Sequence, residues 1–103
     1  MVSSQDLEVK YINVIVDFDK LFNISQKKIM IKQSYTVGMI MQKIRLKWIS
    51  ETDSKQAMFL FFKDSANGSY ILQPVNKSLS EISFEMGNPA LIQIFVKLEN
   101  TFG

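Results

Sequence analysis

Residues 27–48 read KKIMIKQSYTVGMIMQKIRLKW, and two periodicities meet in them. Lys27 to Lys32 (KKIMIK) is short, β-branched at Ile29 and Ile31, and charged at both ends, which predicts a strand. Apolar groups fall on both of its faces. Thr36 then offers a side-chain oxygen in N-cap position ahead of Val37, Ile40, Met41, Ile44 and Trp48, which recur at i, i+3, i+4, i+7 and i+11. That spacing predicts an amphipathic helix of about three turns. Lys43, Arg45 and Lys47 are expected on its opposite face, where cations near a helix C-terminus are favoured by the dipole.

Working outward, Val9 to Phe18 alternates, with Ile12, Val14, Val16 and Phe18 on one side and Tyr11, Asn13, Ile15 and Asp17 on the other. A first strand therefore precedes the strand and helix just described. On the far side, Ser50 to Ser54 ends the helix in polar residues. Met58 to Lys63 (MFLFFK) is a nearly continuous apolar run, expected for a strand covered on both faces, with Phe59, Phe61 and Phe62 all in the core. Asn67-Gly68 signals a turn and Tyr70 to Leu72 a paired return strand. Ser78 to Ile82 predicts one short helical turn, and Ala90 to Lys97, after Gly87-Asn-Pro89, a last strand. Two strands, one long helix, then strands that pack on it describe an α+β chain of the ubiquitin-like β-grasp kind. The sheet is mixed, of four to five strands, with one main helix across one face. An RNA-recognition type sandwich needs a second full-length helix before the last strand, and the Ser78–Glu85 fragment is too short for that. Residues 1–8 read as a short arm, 9–97 as the domain and 98–103 as an extended tail.

The 103 residues contain no Cys and no His. No disulfide framework, thiolate nucleophile, imidazole base, or metal site built on Cys or His is therefore possible. No enzyme, metal or cofactor is expected. Apolar residues make up 47% of the chain, enough for one core and too much for disorder. The apolar runs fall far short of the ~20 residues a transmembrane helix needs. Met1 to Asp6 lacks signal-peptide character, so a cytoplasmic protein is expected.

The formal net charge of +2 conceals a division. Residues 20–50 hold Lys20, Lys27, Lys28, Lys32, Lys43, Arg45 and Lys47 and no acid, a charge of +7, while the rest of the chain carries −5. Such a run is either an ordinary solvated face or one that meets an acidic partner, an anionic membrane surface or nucleic acid.

Several segments, in order along the chain, resemble the GABARAP-type autophagy modifiers. They are Ile24-Ser-Gln-Lys-Lys-Ile-Met-Ile-Lys32, Tyr35-Thr-Val-Gly38, Lys43-Ile-Arg45, Ala57-Met-Phe-Leu-Phe61 with Asp64, Leu79-Ser-Glu-Ile82, and Glu99-Asn-Thr-Phe-Gly103. The last is the most diagnostic. The resemblance implies a modifier whose C-terminal Gly103, following Phe102, is activated by the pathway's enzymes. It is then joined by an amide to phosphatidylethanolamine, on autophagosomal membrane. Gly103 has no Cβ, so its carboxylate can approach an activating site closely.

The resemblance also implies receptor peptides with an aromatic residue and, three later, an aliphatic one, which add a strand beside Lys28 to Ile31. The aromatic pocket would draw on Ile15, Lys28, Met30 and Leu91, and the aliphatic pocket on Ile29, Ile31, Tyr35 and Ile40. Ile29 and Ile31 are expected to lie exposed on a sheet edge, so that Ile31→Glu weakens peptide binding and leaves the fold intact; the alternative is that they belong to the core, in which case Ile31→Glu unfolds the chain. Lys32 and Lys43 stand where the family has apolar pocket residues, which narrows that pocket or favours an acidic peptide. Lys43, Arg45 and Lys47 would form a basic face for enzymes and partners. A monomer that binds no nucleic acid is expected. Two alternatives stay open. The sister autophagy modifier, joined to a lysine of a partner protein, lacks the two helices that family members carry before the first strand. A noncovalent module could instead use the basic face alone.

Overall fold

A computed structural model describes residues 10–20, 23–49, 58–64 and 66–98. Its elements run β1 (Tyr11–Phe18), β2 (Lys27–Lys32), α1 (Val37–Trp48), β3 (Met58–Lys63), β4 (Tyr70–Leu72), α2 (Leu79–Glu85) and β5 (Leu91–Leu98). The strands form one sheet in the order β2-β1-β5-β3-β4. β1 and β5 pair in parallel at its centre, and the other three pairings are antiparallel. This is the ubiquitin-like β-grasp expected from the element order, with five strands. β5 extends to Leu98, one residue past the expected end of the strand and onto the first residue of the expected tail.

The pleat of the strands sorts the side chains. Val14 and Val16, Ile92, Ile94 and Val96, and Met58, Leu60 and Phe62 all point to one face and are buried. Val37, Ile40 and Ile44 of α1 close over them, with Ile31 from β2 and Leu79 and Ile82 from α2. Phe18 meets Trp48 edge to face at a centroid distance of 5.9 Å, fixing the end of α1 to β1. Burial of each large core side chain contributes about 1.5–3 kcal/mol.

One expectation for β3 is corrected. Its burial alternates strictly, so Phe62 is core while Phe59 and Phe61 are half-buried on the face away from α1. A continuous apolar run predicts two covered faces, but it also arises when the second face is aromatic. Phe59 and Phe61 lie with ring centroids 6.5 Å apart, and Tyr70 meets Phe95 at 6.0 Å on the same face.

Local signals hold the connections. The Thr36 side chain accepts from the Met39 N–H and caps α1. The Val37 and Gly38 N–H groups donate to the carbonyls of Lys77 and Val75, and the Leu79 N–H to that of Tyr35, tying the start of α1 to the start of α2. A Cβ on Gly38 would meet the Val75 carbonyl oxygen at 3.4 Å, an ordinary van der Waals contact. α2 is longer than the single turn expected. Ser78 and Glu81 cap it reciprocally, and this Ser-x-x-Glu spacing was the available signal. Beyond it, Gly87 and Asn88 take positive φ while their N–H groups return to Phe84 and Ser83, ending the helix in a Schellman motif. Asn67 and Gly68 turn β3 into β4, with Asp64 and Asn67 side chains accepting from Ala66 and Ser69.

Candidate functional site

β2 occupies one edge of the sheet, and its hydrogen bonding determines what that edge offers. Gln33 donates to the Lys10 carbonyl, and antiparallel partners alternate between bonded and non-bonded pairs. The register Ile12↔Ile31 and Val14↔Ile29 therefore turns the backbone groups of Ile29 and Ile31 inward. Those of Lys28 and Met30 turn outward, as does the Lys32 N–H, while the Lys32 carbonyl accepts from the Tyr35 N–H. These outward groups form a template for an added strand.

Beside this edge, on the face away from α1, lies a pocket of about 560 Å³ lined by Asn13, Val14, Ile15, Lys28, Ile29, Met30, Ala90 and Leu91. Its position follows from register. Asn13 pairs with Met30 and with Leu91, and Ile15 pairs with Lys28, so three strands contribute to one depression. Ile15, Lys28, Met30 and Leu91, singled out in the sequence, are brought together here. Asn13 and Ala90 were missed. The i, i+2 alternation from Ile15 pointed to Asn13, whereas nothing local marked Ala90.

The helix side of the same edge differs. Ile31 is 1% exposed and Ile40 is fully buried, so the expectation of Ile31 exposed on the edge is corrected, and neither residue offers surface to a ligand in this structure. Ile31 sits beneath α1, where the pleat places every second residue of β2, and Ile40 is on the inner face of α1 itself. Ile29 and Tyr35 are half-buried against the core. Tyr35 donates its N–H to the Lys32 carbonyl, and the Lys43 ammonium stands over its ring at 6.0 Å, a cation–π geometry.

The basic residues of α1 also need a correction. Lys43 and Lys47, four apart, share one flank of the helix and Arg45 lies on the other, as the 3.6-residue period requires. The crest opposite the core carries Met39, Gln42 and Leu46, all exposed. Lys47 is placed 5.6 Å over the Trp48 ring. Lys28 and Lys32 are exposed on β2, and with Lys43 they make the surroundings of the edge cationic. Phe102 and Gly103, like the arm over residues 1–8, lie outside the described residues.

No protein-family model matches the sequence, and no curated protein does. Solved structures do resemble it. ATG8 of Trypanosoma brucei superposes with a TM-score of 0.66 at 16% identity, over 96% of this chain and 82% of that one. The ubiquitin-like domain of an Arabidopsis thaliana protein superposes with a TM-score of 0.60 at 22% identity, over 97% and 89%. A second structure of that Arabidopsis protein gives 0.59 at 23% identity. The strand order, the helix across one face and these likenesses together establish the ubiquitin-like fold.

Proposed function

We propose that this chain is a ubiquitin-like modifier of the autophagy type that recruits extended peptides along β2 and is itself conjugated through Gly103. The observation that carries the reading is the open β2 edge. Outward backbone groups of Lys28 and Met30, with the Lys32 N–H, run beside a pocket of about 560 Å³. Backbone pairing would supply affinity there, and an aromatic side chain in the pocket would supply selectivity. Ile15, Lys28, Met30 and Leu91 hold that side chain with Lys32 further along the same face, while Ile29 and Tyr35 meet the peptide on the helix side.

For conjugation, the support is the Glu99–Gly103 sequence, which follows β5, and the likeness to ATG8. An activating enzyme joins the Gly103 carboxylate to the nucleotide of ATP, releasing pyrophosphate, and an enzyme thiol then displaces AMP from that acyl adenylate to form a thioester. The amine of phosphatidylethanolamine then attacks that carbonyl, forming the amide and releasing the thiol. Lys43, Arg45 and Lys47 supply cationic surface to these enzymes. The protein is thus a substrate and adaptor with no catalytic group of its own, moving from the cytoplasm to autophagosomal membrane as a monomer. The test is reconstitution with autophagy activating and conjugating enzymes and phosphatidylethanolamine liposomes, read by mass. A lipid adduct lost on deletion of Gly103 is the expected result. An adduct on a protein lysine instead would identify the sister modifier, and no adduct would reject conjugation.

A further inference from the structure

Four aromatic side chains gather on the face of the sheet away from α1, over β5, β3 and β4. Phe59 and Phe61 are half-buried there, Phe95 pairs directly with Phe61 across the strands, and Tyr70 is 46% exposed. Phe61, Tyr70 and Phe95 enclose, with Lys97, a depression of about 300 Å³, separate from the pocket beside β2. An expectation of no nucleic-acid binding follows when Phe59 and Phe61 belong to the core. The pleat of β3 turns both to the open face and removes that ground. We propose that this half of the open face binds single-stranded RNA, stacking unpaired bases on these rings.

Charge selects a polyanion. The pleat puts Lys28, Lys32, Lys63 and Lys97 on the same face. Lys97 stands opposite Phe59 and Lys63 opposite Tyr70, so ammonium groups flank the aromatic cluster on both sides and can meet phosphates. Among the described strand residues, Asp17 is the one acid on this face, and its carboxylate accepts from the Gln26 amide. Shape selects bases over a bilayer. A membrane takes up side chains that protrude, whereas Phe61 and Phe95 are half-buried walls of a depression that a flat base can enter. The ring pairs Phe59–Phe61 and Tyr70–Phe95 are tilted by 51° and 59°, so neither covers a ring face flat on. Bases in a duplex are already paired and stacked, which leaves a single strand as the form able to use these rings. In the cytoplasm proposed for this chain, that strand is RNA. The site is independent of peptide docking along β2 and of conjugation through Gly103, and its failure leaves both readings intact.

The experiment measures fluorescence anisotropy of a labelled oligouridine of about ten nucleotides, alone or paired with oligoadenosine, on titration with the full 103-residue chain. The single strand should bind about tenfold or more tighter than the duplex. Tyr70→Ala should weaken single-strand binding about fivefold or more, the lower end of what one stacked base contributes, with the far-ultraviolet spectrum unchanged, and Tyr70→Phe should restore it. Lys97→Gln should weaken binding and reduce the steepness of its salt dependence by about 0.7 in log–log slope, the effect of one lost phosphate contact. Lys43→Gln, on the helix side, should weaken it less than Lys97→Gln does. Equal or tighter binding of the duplex, or wild-type affinity in a folded Tyr70→Ala chain, would overturn the proposal. Absence of RNA binding would also overturn it, and sedimentation of the chain with phosphatidylserine vesicles in that case would assign the face to a membrane.

Discussion

Met30 and Ile31 are adjacent in the chain and similar in chemistry, yet one is 60% exposed and the other 1%. The pleat of β2 sends them to opposite faces of one sheet. Behind Ile31 stand α1 and the core, so its methyl groups contribute stability and none to recognition. Beside Met30 lies a pocket walled by three strands, so its thioether is available to a ligand. Apolar character alone therefore says nothing about role in this strand. The parity of the residue number decides it.

The largest expected effect breaks the buried side. Ile31→Ala removes core packing under α1 and should lower unfolding free energy by about 2–5 kcal/mol, read by denaturant titration, and Ile31→Glu should abolish the native fold. Stability of Ile31→Ala within ~0.5 kcal/mol of wild type would show that the residue is not core. Next, Met30→Glu tests the open side. Its stability should change by less than about 1 kcal/mol, while affinity for an aromatic-anchored peptide falls about tenfold or more. Loss of both together would erase the distinction between the faces. The smallest effect sharpens the link between α1 and β2. Thr36→Ala deletes the side-chain acceptor of the Met39 N–H and should cost about 1 kcal/mol. Peptide affinity should be unchanged in that variant, and a drop in affinity would mean that the cap also sets the position of Tyr35.

Much of the fold was legible because its signals are local. Val37, Ile40 and Ile44 were read as the inner stripe of α1 from spacing, and all three are buried. Alternation groups Val14 and Val16 on one side of β1, and both are buried. Misreadings came where two physical situations give one pattern. An unbroken apolar strand can have two covered faces or, as in β3, one core face and one aromatic face. Exposure of Ile31 was expected because an edge strand was equated with an exposed one, whereas an edge strand still has a covered face. Among the proposed contacts, Ile15, Lys28, Met30 and Leu91 meet in one pocket because β5 inserts beside β1, a pairing across some eighty residues of sequence.

The sequence by itself determined the order of elements, the helix cap, the Asn67-Gly68 turn and the concentration of positive charge in residues 20–50. Each depends on neighbours within a few positions, where backbone sterics and side-chain hydrogen bonds act. Only the tertiary structure decided which side of β2 is closed, which of its backbone groups face outward and which cations border them. Those outcomes depend on register between distant strands and on where α1 comes to rest, and a shift of one residue in that register would exchange Met30 for Ile31.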